Sequence, residues 1–295
     1  ETCGDGTSCD NGECRSSSDC GEAGSELIYV VDDSNRLLSF DPSSGNTFTL
    51  VGTLDCSAGA PITPPPPPPL PAGPATPFSM SVARDGTAWV LYSSGEIFHV
   101  STEDASCQAS GFQINQSNGD GGLWGLFGMG FVSNSAGSDE ETLFLAGGEV
   151  DPTIPGHLGT LDTTSLAITT VDNMQGGSEY SPELTGTGDA ELYGYYPGAS
   201  NTFIAEINKA SAARGTSWTL PGLGFGVQVQ AWAFAHWGGR FYVFVTTANA
   251  LTGATNSQVL LVDPMQAGQT TTLLSNQPYI IVGAGVSTCA PVFIP

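Results

Sequence analysis

The sequence predicts an all-β protein, a five-bladed β-propeller of four-stranded blades with a small N-terminal disulfide knob. Short apolar alternating segments are separated by turn-forming residues, a pattern typical of antiparallel strands. This pattern recurs in five units along the 295 residues, at intervals of roughly 50 to 60 residues. Long segments with helical periodicity and capping residues are absent from the sequence, so a radially repeated β-architecture is predicted.

The five units align on two positions. An aromatic residue marks the second strand of each unit, at Tyr29, Trp89, Phe144, Tyr193 and Tyr242. A turn-forming residue ends the third strand of each unit, at Asp41, Ser101, Asp162, Asn208 and Asp263. The clearest predicted hairpins are "ARDGTA", with Asp85-Gly86 as the turn pair, and "AWAFAHWGGRFYVFV", where Gly238-Gly239 joins two strands.

The innermost strands are predicted from their small residues, as in "SMSVA", "GLFGMG", "LTGTG" and "AWAFA". Bulky side chains would collide where these strands crowd around the axis. The first unit contains only three strands, whereas the C-terminal run "YIIVGAGVSTCAPVFI" has no partner in its own unit. We predict that this run supplies the inner strand of the blade formed by residues 27–54, because closure of the ring removes two exposed edges.

The cysteines divide the chain into a knob at residues 1–24 and a propeller at residues 25–295. Four of the seven cysteines crowd into the N-terminal segment, at Cys3, Cys9, Cys14 and Cys20. Their spacing lacks the close C-x-x-C pairs of zinc sites, so we predict that they form disulfides among themselves. Cys56 and Cys107 are predicted to form a third bridge, which leaves Cys289 unassigned.

A proline-rich loop at residues 61–77 contains six consecutive prolines. Such a run adopts polyproline II and cannot join a sheet ladder. We interpret it as a stiff spacer across one face of the ring; the alternative is a docking ligand for an aromatic groove.

The charge balance excludes some partners. A formal net charge of −23 repels phosphate backbones and anionic lipid, so neither nucleic acid nor a membrane surface is an expected partner. Acidic loops could gather Ca²⁺, but no D-x-D-x-D-G loop supports this, and we predict no cofactor and no metal site. No segment reaches the roughly 18 apolar residues of a membrane helix, and the cysteines favour a secreted or cell-surface protein whose signal peptide has been removed.

Candidate catalytic residues are few. Glycosidase chemistry needs two carboxyl groups in one pocket. Glu183 is the only acid at the predicted starts of the inner strands, and Asp120, on the loop before the third blade, could approach it. His99, His157 and His236 fall in three different blades, so we do not expect them to converge on a metal.

Candidate ligand-binding residues are aromatic. Phe78, Trp124 and Trp232 are predicted at comparable places in three blades, where their rings could contact a sugar or an apolar ligand. Packing between blades is the alternative role. Glu183 and His236, the one histidine near the axis, complete the predicted ligand-binding set; a partly exposed turn residue beside Trp237 is the alternative for His236.

The segments "CGDG…CDNGECRSSSDC" and "GVSTCAP" resemble those of exported and cell-surface β-propeller proteins of the myxobacterial type, which carry a Cys-rich N-terminal segment. The resemblance implies export and a knob-plus-propeller organisation. Arabinanase-like glycosidases, certain lectins and nucleotidases are also five-bladed propellers, but that likeness is architectural, and a shared fold does not transfer function.

Together these observations predict a secreted or cell-surface recognition or structural protein without catalytic activity. We expect it to bind a glycan or an extracellular protein partner through one face of the propeller, or to occupy a place in a surface assembly. The alternative is a carbohydrate-active hydrolase with its active site at the central channel, where Glu183 and Asp120 would supply the two carboxyl groups.

Overall fold

The computed structural model describes residues 7–10, 13–16, 20, 26–62, 73–147, 156–174, 182–198, 202–222 and 226–293, the first two ranges by their backbone alone. Within these ranges the regular structure is β, apart from one 3₁₀ turn at Pro264–Gln266. No helix in the described part of the chain is long and apolar enough to cross a membrane. The proline-rich residues 63–72 lie outside the described residues, so their predicted spacer role stays a prediction.

Twenty strands form five antiparallel sheets of four. Blade 1 contains β3 (Ile28–Asp32), β4 (Arg36–Asp41), β5 (Thr47–Thr53) and β22 (Ile281–Val286). Blade 2 contains β6 (Pro77–Val82), β7 (Thr87–Tyr92), β8 (Ile97–Ser101) and β9 (Cys107–Ala109). Blade 3 contains β10 (Phe127–Ser133), β11 (Glu141–Gly147), β12 (His157–Leu161) and β13 (Ile168–Asn173).

Blade 4 contains β14 (Glu183–Gly186), β15 (Leu192–Tyr196), β16 (Phe203–Ile207) and β17 (Arg214–Thr219). Blade 5 contains β18 (Val227–Trp237), β19 (Arg240–Asn249), β20 (Thr255–Asp263) and β21 (Gln269–Leu274). Two further strands, β1 (Thr7–Asp10) and β2 (Glu13–Ser16), form a hairpin ahead of the ring. The five-bladed, four-stranded architecture predicted from the repeats is confirmed.

Ring closure occurs as predicted. The C-terminal strand β22 pairs antiparallel with β3 and becomes the inner strand of blade 1, with Gly285 opposite Tyr29. We call the side where the inner strands begin the upper face, and the side where they end the lower face.

The predicted alignment of the blades is also confirmed by the strand register. The five aromatic residues of the second strands each lie opposite a small inner-strand residue. The pairs are Tyr29–Gly285, Trp89–Ser81, Phe144–Gly130, Tyr193–Thr185 and Tyr242–Ala235. Small residues are required because neighbouring inner strands touch: a Cβ added at Gly285 would lie 2.8 Å from the amide nitrogen of Val82 in blade 2.

The turns follow the sequence prediction. Gly238 and Gly239 adopt φ values of 60° and 77°, which a two-residue hairpin requires and glycine tolerates. The five aligned residues that end the third strands each accept a hydrogen bond from the amide two residues later. These residues are Asp41, Ser101, Asp162, Asn208 and Asp263.

The outer edges of the blades are interrupted. The register of the third and fourth strands shifts in blades 1, 3, 4 and 5. In blade 2 the outer strand β9 has only 3 residues, and Cys107 at its start is disulfide-bonded to Cys56. Bulges and short strands discourage pairing with other chains, so the fold leaves no long flat edge among these five strands.

The disulfide pattern differs in part from the prediction. The Cys56–Cys107 bridge is confirmed. Cys20 bonds to Cys289, 269 residues away in sequence, so the prediction that Cys3, Cys9, Cys14 and Cys20 pair only among themselves is wrong. The sequence places Cys20 near Cys14, but closure of the ring brings the two chain ends together, and this proximity decides the pairing.

The other N-terminal cysteines are described only in part. The register of β1 and β2 places Cys9 opposite Cys14, whereas Cys3 lies outside the described residues. That residues 1–24 form a separable knob stays a prediction. Cys20, near the end of the predicted knob, is bonded covalently to Cys289. Cys289 belongs to the C-terminal segment, which we define as residues 287–293.

We expect replacement of both Cys20 and Cys289 by serine to lower the free energy of unfolding by about 2–5 kcal/mol. The matched control replaces Cys56 and Cys107, whose separation in sequence is 51 residues. Because the longer loop loses more entropy when it is cross-linked, the first variant should lose more stability in urea unfolding than the second. An equal loss, or no loss, in the Cys20/Cys289 variant would contradict this role.

Candidate functional site

Glu183 lies at the axis of the ring, as the sequence predicted for an acid at the start of an inner strand. It is the first residue of β14 and its residue surface is only 3% exposed. The hydroxyl of Ser79, on β6, donates a hydrogen bond of 2.5 Å to Glu183 Oε1. The side chain of Glu183, which belongs to blade 4, therefore reaches blade 2 across the inner strand of blade 3.

Gly128 on β10 makes the space for this contact. A Cβ at Gly128 would lie 2.4 Å from the carbonyl oxygen of Pro182 and 3.2 Å from Glu183 Oε2. The inner-strand residues at the same register position as Glu183 are all small: Ser79, Gly128, Ala233 and Gly283. Glu183 is thus the one long side chain at this position, and it lies in the upper part of the axis.

The environment of Glu183 favours the neutral acid. Burial raises the pKa of Glu183 well above its ordinary value, and the hydrogen bonds from Ser79 and from the amide of Met129 lower it only in part. An ionised carboxyl group that is buried without a cation is costly, and this cost is the physical cause of the raised pKa.

Asp120 lies apart from this contact. Its carboxylate, 63% exposed, is 3.0 Å from Nε2 of His157, the first residue of β12. No hydrogen bond or ion pair between described residues joins Asp120 to Glu183, so the two carboxyl groups that the hydrolase alternative requires have different partners.

Trp124 does not occupy the place that the sequence predicted. The strand register aligns Phe127, not Trp124, with Phe78 and Trp232. Trp124 is 1% exposed, lies against Gly159, and donates its indole hydrogen to Thr170. The sequence spacing is misleading because Trp124 lies three positions before Phe127, the residue that the register aligns with Phe78 and Trp232.

The other predicted ligand-binding aromatic residues are half-buried. Phe78 packs against the hydrophobic cluster between blades 2 and 3, and Trp232 packs against the cluster between blades 4 and 5. Phe78 is the second residue of β6, whereas Trp232 is the sixth of the 11 residues of β18. Each ring therefore contributes to packing between blades while part of its surface stays exposed.

His236 is a buried strand residue, which corrects the alternative of a partly exposed turn residue. It lies in β18, and its ring stacks on Tyr193 with centroids 5.7 Å apart. Burial lowers the pKa of His236 to about 4, so the ring is neutral at physiological pH. Among the described residues no group of three or more His, Cys, Asp or Glu side chains is arranged to hold a metal ion.

A second polar cluster, at the lower face, was not predicted. The guanidinium of Arg84 donates to Thr288 at 3.2 Å, to Asp139 at 3.1 Å and to Sγ of Cys20 at 3.2 Å. Glu141 accepts from the amide of Arg84 and from the hydroxyl of Thr288. In the sequence Arg84 is only part of a hairpin turn, and nothing local indicates that both chain ends meet there.

The C-terminal segment crosses the lower end of the axis. The amide of Gly238 donates to the carbonyl of Pro291 at 2.7 Å. A Cβ at Gly188, in blade 4, would lie 2.5 Å from the carbonyl oxygen of Thr288. The axis is therefore occupied by Glu183 above and contacted by the C-terminal segment below.

Large apolar side chains are exposed on the connections of the upper face. Leu251, in the turn between β19 and β20, is 85% exposed, and Leu123, just before β10, is 52% exposed. Aliphatic rather than aromatic side chains thus form the most exposed apolar surface here among the described residues.

The chain matches no family model and no curated protein. Solved structures that are similar to the chain include the following three. A functionally unknown protein from Desulfotomaculum acetoxidans is 13% identical, with 90% of this chain and 99% of that chain covered and a TM-score of 0.41. A calcium-binding regucalcin from Agrobacterium tumefaciens is also 13% identical, with 92% and 77% covered and a TM-score of 0.39.

The third is a quinonprotein alcohol dehydrogenase-like protein from Bacteroides thetaiotaomicron, 9% identical, with 88% and 66% covered and a TM-score of 0.41. Likenesses at this level carry no argument about function. The resemblance of the cysteine-rich segments to proteins of the myxobacterial type stays a prediction.

We expect Gly128→Ala to lower the free energy of unfolding by about 2 kcal/mol or more, because the added methyl group meets backbone that cannot move cheaply. Gly222→Ala is the matched control, since nothing lies within 4 Å of a Cβ there. Urea unfolding of both variants checks this expectation. Equal stability of the two variants would show that the axis is not closely packed at Gly128.

Proposed function

We propose that this chain is an exported binding module that recognises a protein partner through the upper face of its propeller. The observation that carries the proposal is the exposed aliphatic surface of Leu251 and Leu123 on that face. A contiguous apolar surface marks an interaction site, so the proposal requires that Leu251, on blade 5, and Leu123, on the loop that enters blade 3, contact the same partner.

The shape of blade 5 supports recognition by this face. Its strands β18, β19 and β20 have 11, 10 and 9 residues, whereas the inner strands of the other blades have 4 to 7. At about 3.3 Å per residue, longer strands reach beyond their neighbours. The turn that carries Leu251 ends this extension, so a partner would meet it first.

The burial of the aromatic side chains favours a protein partner over a glycan partner. Sugar rings stack on flat aromatic faces that are accessible. Trp124 is buried, and Phe78 and Trp232 are half-buried against the hydrophobic clusters. Leucine side chains instead suit the apolar centre of a protein interface.

The arrangement of the carboxyl groups favours binding over hydrolysis. Glu183 is bonded to Ser79, and Asp120 is paired with His157. A glycosidase needs its two carboxyl groups on either side of one substrate bond. Export is part of the proposal; the Cys20–Cys289 and Cys56–Cys107 disulfides are of the kind that persists in oxidising compartments.

Affinity capture from the surface fraction of the producing cells tests this function. We expect wild type to retain a discrete protein partner that Leu251→Asp and Leu123→Asp lose, because a charge in the apolar centre of an interface is costly. Met265→Asp is the matched control, since Met265 is also 85% exposed but lies after β20, on the lower side. Loss of the partner by the control, or retention by both leucine variants, would contradict the proposal.

A glycan array with the intact chain tests the alternative. We expect no specific glycan to bind and no glycan to be cleaved. If a glycan binds wild type but not Trp232→Ala, the partner is a sugar and not a protein. Cleavage that is lost in Glu183→Gln would favour the hydrolase.

A further inference from the structure

We propose that Glu183 is a pH-sensitive lock at the axis, tight when its carboxyl group is neutral and loosened when that group ionises. This inference is independent of the proposed protein partner. It begins from the place of the side chain: Glu183 belongs to blade 4, its hydrogen-bond partner Ser79 belongs to blade 2, and Gly128 of blade 3 lies between them. One titratable group therefore joins three of the five blades.

The Ser79 hydroxyl serves two blades at once. It donates to Glu183 Oε1 at 2.5 Å and accepts from the amide of Met129 at 3.2 Å. Ser81, two residues further along β6, repeats the second contact by accepting from the amide of Phe131 at 2.9 Å. Removal of the Glu183 contact would leave blades 2 and 3 joined but would break the direct link between blades 2 and 4.

No charged group faces Glu183 from the strands packed around it. The strands β6, β10 and β22 contain no titratable residue. On the other strands packed against β14 the titratable residues are Glu141 on β11, three tyrosines on β15, and His236 on β18. Burial raises the pKa of the tyrosines, which are Tyr193, Tyr195 and Tyr196, and lowers the pKa of His236 to about 4, so these four groups are neutral at physiological pH.

Glu141 does not compensate Glu183 either, since its own partners are the Arg84 amide and Thr288 at the lower face. Ionisation of Glu183 would thus place a negative charge in the axis with hydroxyl and amide partners alone. Such a charge is costly in a buried site. The cost would fall if the three inner strands separated and let water solvate the carboxylate.

The direction in which stability depends on pH follows from the pKa of Glu183 in the folded protein. This folded-state pKa lies above the ordinary value of 4.5. The stabilisation is therefore complete below that ordinary value and is lost as the pH rises through the folded value. For each pH unit between the ordinary pKa and the folded-state pKa, the ratio of folded to unfolded protein falls by about tenfold.

The test compares Glu183→Gln with wild type in urea unfolding at several values between about pH 4 and about pH 9. Glutamine imitates the neutral acid at every pH, so the two proteins should be similar in acid, and the variant should become relatively more stable as the pH rises. Glu103→Gln removes an exposed carboxylate and is the control; its difference from wild type should not show this rise. A flat difference for Glu183→Gln would overturn the lock.

Infrared difference spectroscopy gives a second readout that does not depend on the stability of the variant. Wild type should still show the carbonyl band of a buried protonated carboxylic acid at a pH above 4.5, the ordinary pKa of a glutamate. Ser79→Ala should move the loss of that band to higher pH, because the Ser79 hydrogen bond lowers the pKa of Glu183. Absence of the band from wild type at that pH would overturn the proposal even if Glu183→Gln fails to fold.

Discussion

Blade 1 is built from both ends of the chain, and the rest of the structure depends on that one pairing. Its inner strand β22 comes last in sequence and its other three strands come first. Until β22 pairs with β3, both strands present open edges, and the inner strands of blades 5 and 2 lack a neighbour. Closure is therefore a long-range event that completes the packing of all five blades.

Several contacts around the chain ends reinforce this closure. Cys20 is bonded to Cys289, and Arg84 of blade 2 contacts Cys20 as well as Thr288. On the other side, the indole of Trp237 in blade 5 donates to the carbonyl of Glu26 at 2.5 Å. The N-terminal end of the ring is thus held by its neighbours in both directions.

Much of the fold could be predicted because it depends on local patterns that repeat. A small residue opposite an aromatic one, as at Gly285 and Tyr29, recurs in every blade, and a three-strand first unit with an unpaired last run leaves ring closure as the economical arrangement. Glu183 could also be placed, since acids are absent from the starts of the other inner strands. These inferences rest on period and composition, which one sequence contains.

The errors share a physical cause: each depends on contacts between residues distant in sequence. Cys20 pairs with Cys289 because closure brings them together, although Cys14 is nearer in the chain. Trp124 was aligned by its neighbours in sequence, but the start of β10 is set by pairing with β11. The role of Arg84 is visible only once both chain ends are placed beside blade 2.

Native-state hydrogen exchange tests the dependence of the ring on its closing pair most directly. If the other blades rely on closure, the backbone amides of β22 and β3 should exchange only through global unfolding, with the same free energy of opening as those of β10 and β11 in blade 3. Exchange of β22 and β3 through a local opening, at a denaturant concentration where blade 3 stays protected, would contradict that dependence.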